Sequence, residues 1–249
     1  MANNVTDPHL SELVHGAALA LANAEDLFRE GTALLACGAF SRALFLHQIS
    51  MEECAKAEML GWWATGHLMG VSVDLSNMRS RLASHKAKNF ANAYMLPLGE
   101  AEQRARDEYD WQAAHLAFKE QQAAFHQQSN DRKNASLYVD FVDDVFVAPR
   151  DRIAEQMVHE IAATNHKFIE LMRPKVEMLT FWAQEPDGVR ECMKSYRDRI
   201  EKLREEYPDE PQKALDVLLD EMLTQARKGQ QHLGSSGASP NAAPDEPSR

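Results

Sequence analysis

The segment from Phe40 to His67 constrains this chain more than any other. At about 100° per residue, Leu46, Ile49, Ala57 and Leu60 fall on one side of a helical wheel, and Leu44, Met51, Ala55, Met59 and Trp62 on another. A helix that is apolar on two sides must be enclosed by neighbours, so the chain has to supply other helices to cover it. Yet Glu52, Glu53 and Lys56 sit in its middle. Charge in such a setting is costly unless it is paired. Glu52 and Lys56 are four residues apart with the acid first, the favourable order for a helical ion pair, and are predicted to pair. Glu53 lies within the first apolar face. It is the candidate anchor for a basic residue brought in by the next helix.

The covering helices are legible from three- and four-residue apolar spacing. Leu13, Ala17, Leu21, Ala24, Leu27 and Leu34 predict a helix from Leu10 to Leu35, with Gly38 as its stop signal. A third helix is predicted from Ser76 to Leu96, ended by Pro97 and Gly99, and a fourth from Ala101 to Gln127. Asn130 to Asn134 reads as a turn. Leu137–Phe141 and Val145–Val147 are short, β-branched and aromatic, and predict a small extended or β-hairpin insert near 137–148. Helix resumes from Arg150 to Trp182, with Pro174 expected to kink or divide it. Two more helices are predicted near Asp187–Glu206 and Pro211–Lys228. The expected organisation is a helical domain over 1–185, a helical extension over 186–228 packing on it, and a disordered tail over 229–249 rich in Gly, Ser, Pro and Ala.

Charge and composition narrow the function. The net charge of −11 argues against a non-specific nucleic-acid coat protein, though not against an enzyme that meets RNA at one local basic site. Three scattered cysteines, Cys37, Cys54 and Cys192, provide neither a disulfide framework nor a zinc site. No apolar run approaches the roughly 18 residues of a membrane span, and no secretory signal is read at the N-terminus. A cytoplasmic protein without membrane contact is expected.

The local basic site is Arg79 to Lys88. On an unbroken helix Arg81, His85 and Lys88 form one stripe at i, i+4 and i+7, while Arg79 points away from His85. Histidine moves protons near neutral pH, and arginine holds phosphoryl oxygens with a two-pronged fork. RNA brings its own nucleophile, the 2′-hydroxyl, so such a site needs no metal. The competing reading is an ordinary solvated basic face. A di-metal carboxylate bundle would need two Glu-x-x-His motifs, and only Glu12-Leu-Val-His15 is found. His159-Glu160 lacks a second histidine at the spacing a zinc protease helix needs. His159 and His166 share a helix face. No metal and no cofactor are expected.

Three segments in order resemble the AbiV family of abortive-infection proteins. Ser50-Met-Glu-Glu-Cys-Ala-Lys-Ala-Glu58 is similar to its Glu-Glu-x-x-Lys-Ala helix. His85-Lys86-Ala-Lys88 is similar to its His-Lys-x-Lys segment, and Lys133-Asn-Ala-Ser-Leu-Tyr-Val-Asp-Phe141, with Pro149 after it, to its Lys-x-x-x-Leu-Tyr-Val-Asp stretch. The resemblance covers roughly Ala17 to Trp182. It implies an all-α, HEPN-like helical bundle and a homodimer. Many HEPN proteins are metal-independent endoribonucleases in which an arginine and a following histidine from each subunit meet in a shared cleft. By that resemblance Arg79 and His85, with five residues between them, are the catalytic pair, and cleavage leaves a cyclic phosphate. His85 acts on the 2′-hydroxyl or the leaving group, and Arg79 stabilises the phosphorane. Helix geometry favours Arg81 as the partner of His85, so both stay open. Glu52, Glu53, Lys56, Lys86 and Lys88 are supporting residues. Lys133 and Tyr138 are candidates for RNA contact or a lid.

The functional expectation is an anti-phage defence protein that arrests translation in infected cells, acting on tRNA, mRNA or rRNA after activation by a phage-encoded protein. The alternative is a non-catalytic, toxin-like module that blocks translation through protein or RNA contacts.

Overall fold

The computed structural model describes residues 8–208 together with 217, 218 and 221. Helix α1 (Pro8–Ala36) and helix α2 (Phe40–Leu68) form the first helical pair. Gly38, at φ +74°, makes the bend between them. Its N–H donates to the Leu35 carbonyl and the Ala39 N–H to the Leu34 carbonyl, which satisfies two of the orphan acceptors at the helix end. As the wheel requires, α2 is buried on several sides, from Ala43 and Leu44 through Met51, Ala55 and Met59 to Ala64 and Leu68.

Two shorter helices follow, where one was predicted: α3 (Leu75–Ala83) and α4 (His85–Asn92), then a 3-10 turn over Ala93–Met95. The expected helix from Ser76 to Leu96 is therefore broken, and the reason is Ser84. It is extended at φ −82°, ψ 117°, and its hydroxyl accepts from the Ala87 N–H as the N-cap of α4. Asp74 caps α3 in the same way, through the N–H groups of Ser76 and Asn77.

The predicted fourth helix is also divided, into α5 (Glu100–Asp107) and α6 (Trp111–Leu137). Tyr109 takes a left-handed φ of 58° and Asp110 caps the Ala113 N–H. The stretch read as a turn, Asn130 to Asn134, is helical and lies inside α6. Tertiary burial of Ser129, Lys133 and Ser136 carries the helix through that polar run.

Strands β1 (Asp140–Val142) and β2 (Val145–Val147) form the expected hairpin, with Phe141 opposite Phe146. Asp143 and Asp144 both have positive φ, 48° and 62°, the pair of values a two-residue hairpin turn of the right twist needs. After the short α7 (Pro149–Arg152), α8 (Glu155–Gln184) packs on α1 and α2. Pro174 neither ends nor divides α8. It is exposed, so the backbone acceptor it leaves unpaired lies on the wet side of the helix.

Leu13, Ala17 and Ala24 of α1, Leu44, Met51 and Met59 of α2, and Val158, Phe168 and Met172 of α8 make the centre of the core. Small residues allow the close approaches. A Cβ on Gly61 would lie 3.0 Å from Leu179, and one on Gly31 3.0 Å from the His47 ring.

The chain divides into two compact units between Val189 and Arg190, within α9 (Pro186–Glu206). In the second unit Arg199 pairs with Glu206 and Glu221, and Leu203 is buried. The helix predicted over 211–228, apart from 217, 218 and 221, and the tail over 229–249 lie outside the described residues. The described part is an all-α bundle with one small β insert. No helix among the described residues is long and apolar enough to cross a membrane.

Candidate functional site

Glu52 is the centre of the site. It is only 2% exposed, on the side of α2 covered by α4 and α6. His85 Nδ1 and Lys88 Nζ each stand 2.7 Å from its Oε2, and Lys133 Nζ is 3.0 Å from its Oε1. Both lysines are buried, whereas the His85 side chain is 56% exposed. One carboxylate therefore holds two ammonium groups and one imidazole.

Burial pushes the Glu52 carboxyl pKa up. The hydrogen bond and charge of Lys88, the His85 hydrogen bond and the Lys133 charge together outweigh that, and hold it below the ordinary carboxylate range. With two lysines facing one ionised acid, the cluster is net positive within an acidic protein. A carboxylate accepting at Nδ1 fixes the imidazole tautomer and turns Nε2 away from it. That is the arrangement a proton-transferring histidine needs.

Helix α4 positions two of these groups, and buried amides dock it. Asn92 Nδ2 donates to the Met51 carbonyl at 2.9 Å, and Gln122 Nε2 of α6 donates to the Phe90 carbonyl at 2.9 Å. Asn89 meets His126 at 3.2 Å. Burial first, and then the Lys86 and Lys133 charges, lower the His126 pKa. Ala55, Met59 and Ala91 pack beneath, with Trp63 and Leu82 against them. His85, Lys88, Asn89 and Asn92 are spaced as one helix face, so the docking amides share the stripe of the candidate site.

Several expectations are corrected. The anchor is Glu52 and not Glu53, because α4 and α6 cover the Glu52 side of α2. Lys56 pairs with Glu53, three residues away, and not with Glu52. The stripe Arg81–His85–Lys88 does not exist as a continuous face, since Ser84 interrupts the helix. Arg79 and Arg81 are exposed on α3, and their guanidinium groups make no hydrogen bond or ion pair among the described residues. Lys133 is neither a lid nor a surface contact: it is buried on α6 and bound to Glu52. Tyr138 is exposed at the end of α6. Lys86 is exposed, with its ammonium 5.3 Å from the centre of the Phe90 ring.

The sequence reading missed Asn89, Asn92 and Gln122. A pair of asparagines three apart beside an apolar face was the available signal, since amides placed there usually bond to backbone. His47 was missed too. It is fully buried on α2, 3.3 Å from Asn165, which in turn accepts from the Ser50 hydroxyl. Burial lowers its pKa to about 4. Burial also pushes the Cys54 thiol up to about 12, with the charges of Glu25 and Glu53 adding to it. The exposed His159 and His166 pair with Glu155 and Glu170 on α8. Among the described residues no three His, Cys, Asp or Glu side chains are grouped to hold a metal.

The three segments that meet at Glu52 define a class, and comparison with known proteins gives the family. The AbiV family model matches residues 12–170, well over half of the chain, and the chain belongs to this family of HEPN-type abortive-infection proteins. Glu52, His85, Lys88 and Lys133 all lie inside the match. An uncharacterized protein of Sinorhizobium fredii (strain NBRC 101917 / NGR234), y4gJ, is 44% identical over 95 residues, 38% of this chain and 50% of that protein. The chain thus spans about half the length of this curated relative. No solved structure matches.

Proposed function

We propose that this protein is an anti-phage effector that arrests translation by cleaving RNA without a metal, with His85 as the proton-transferring residue. One observation carries the reading: an exposed imidazole whose Nδ1 is held by a buried, ionised carboxylate. In the proposed step His85 Nε2 takes the proton of a ribose 2′-hydroxyl. The 2′-oxygen forms a bond to phosphorus and the bond to the 5′-oxygen breaks. The 5′-oxygen takes a proton from water, the His85 imidazolium gives its proton back to the resulting hydroxide, and the products are a 2′,3′-cyclic phosphate and a 5′-hydroxyl.

Glu52 orients the ring and stabilises the imidazolium that forms. Lys88 and Lys133 hold Glu52 and give the site the positive potential a phosphodiester requires. The unpaired guanidinium groups of Arg79 and Arg81 supply the charge that meets the phosphorane oxygens, in the same subunit or across a homodimer. The substrate is tRNA, mRNA or rRNA in the cytoplasm, and a phage-encoded protein is the proposed trigger.

The second reading is a non-catalytic module that blocks translation by contact. The exposed apolar hairpin, with the Phe141 and Phe146 rings 4.9 Å apart in solvent, favours it. Sequencing of RNA ends after induced expression separates the two. Cyclic-phosphate ends present in wild type and absent in His85→Ala, in chelator, support the nuclease. Arrest with intact RNA supports the contact reading. A strict monomer by light scattering would remove the two-subunit form of the site.

A further inference from the structure

We propose that the β1–β2 hairpin is a self-association arm: β2 pairs edge to edge and antiparallel with β2 of a second copy of this chain, with Phe146 on the two-fold axis.

The backbone selects the edge. Val142 and Val145 flank the two-residue turn as the first ladder pair, which exchanges hydrogen bonds. Pairs alternate along an antiparallel ladder, so the next one, Phe141 with Phe146, turns its N–H and C=O groups outward. On β1 that edge is closed. Asp140 Oδ1 accepts from the Phe141 N–H at 2.9 Å, and Arg152 donates to Asp140 Oδ2 at 3.1 Å. On β2 the Phe146 N–H and C=O have no partner among the described residues. The strand, Val145-Phe-Val147, carries no charge, proline or bulge, the devices that keep strand edges apart.

A second copy is the occupant that fits this edge. A two-fold axis at Phe146 lets the residue exchange both N–H···O bonds with its own copy, and sets Val145 opposite Val147 of the second copy. The Phe141 and Phe146 rings, 4.9 Å apart in one hairpin, then continue into those of the other as one aromatic row across four strands. Phe146, 80% exposed in the single chain, is covered.

Charge agrees with this register. The same antiparallel run carries the exposed Asp143–Asp144 turn past Ala148 and Pro149 of the second copy towards its Arg150. Neither aspartate has a partner among the described residues, and Arg150 is exposed, with only a loose 3.8 Å contact to Asp151 beside it. The axis makes this contact twice. Because Asp140 closes the β1 edge, assembly stops at a dimer and does not grow into a longer sheet. The pairing uses no residue of the Glu52 cluster and stands whether or not the protein cuts RNA.

The test uses the full chain. Light scattering over a concentration series reads association, which is expected to be concentration-dependent because the contact is small. Phe146→Lys, at an exposed position where the fold is not at risk, puts like charges on the axis and should weaken the dimer about tenfold or more. Arg150→Glu should weaken it about two- to fivefold, less in high salt. Register is read by oxidation in a Cys37→Ser, Cys192→Ser background, which lacks the exposed thiols. Phe146→Cys should form a covalent dimer, since a hydrogen-bonded pair has its Cα atoms about 5.5 Å apart, within disulfide reach. Phe141→Cys, about 14 Å from its copy across three strand spacings, should not. A monomer throughout the series with no cross-link overturns the proposal. So does a dimer that Phe146→Lys leaves intact, which would lie on another face such as the His85 cleft, and so does equal cross-linking by the two cysteine variants.

Discussion

Helices α3 and α4 are neighbours of nearly equal length, each with two cationic side chains, and they do opposite things. α3 carries Arg79 and Arg81 and buries no residue at all. α4 carries Lys86 and Lys88, with His85 at its start, and buries Lys88, Asn89, Ala91 and Asn92. The difference lies in what faces each helix. A buried carboxylate and the backbone carbonyl of Met51 give α4 side chains partners, and a glutamine on α6 bonds to the α4 backbone. The α3 arginines meet solvent. Similar composition thus produces a clamp in one helix and a presenting surface in the next.

The largest expected effect tests the clamp as chemistry. His85→Ala should lower RNA cleavage by about 10² to 10⁴-fold, the usual contribution of a positioned acid–base group, with the circular dichroism spectrum unchanged. Undiminished cleavage would move the active group elsewhere, α3 included.

Close behind is the clamp as structure. Glu52→Gln leaves two buried ammonium groups without a counter-ion, and should cost about 3–5 kcal/mol in denaturant unfolding. Arg79→Ala and Arg81→Ala, on the exposed helix, should each stay within about 0.5 kcal/mol of wild type while cleavage falls. If the α3 variants unfold as readily as Glu52→Gln, the contrast between the helices is lost.

Acid separates the clamp from the rest of the core. His47 has a folded pKa of about 4 against an ordinary 6.5. The unfolded chain therefore takes up a proton first as pH falls, and about 3 kcal/mol of stability is lost between those values. Glu52 has a folded pKa below its ordinary 4.5. Its contribution is complete above that value and is lost as pH falls through the lowered one. Glu52→Gln should flatten only this lower window of a stability–pH curve, leaving the upper one in place.

The smallest effect is the boundary itself. Ser84→Ala removes the N-cap of α4 and should cost about 1 kcal/mol. A larger loss of His85 function than of stability in this variant would show that the helix break aims the imidazole.

Much of this was legible before the structure. The two apolar sides of Phe40–Leu68 required enclosure, and α1, α4, α6 and α8 provide it. Glu52, His85 and Lys88 were singled out by residue type and spacing, and Lys133 by the family resemblance. What failed was the geometry between them. The wheel assumed one helix through Ser84, and so joined His85 to Arg81. It weighed Glu53 by its position on an apolar face, with no knowledge of which helix would cover which side.

Sequence alone determined the helical class, a small extended or hairpin insert near 137–148, and the basic segment after an acidic helix. These follow from local periodicity, turn chemistry and charge, which act within a few residues. Only the tertiary structure decided that Glu52 is the anchor, that Lys133 is buried beside it, and that the arginines stay in solvent. The partners of Glu52 lie 33, 36 and 81 residues away along the chain. Packing sets such distant pairings, because a carboxylate entering the core takes whichever cations the neighbouring helices bring within reach.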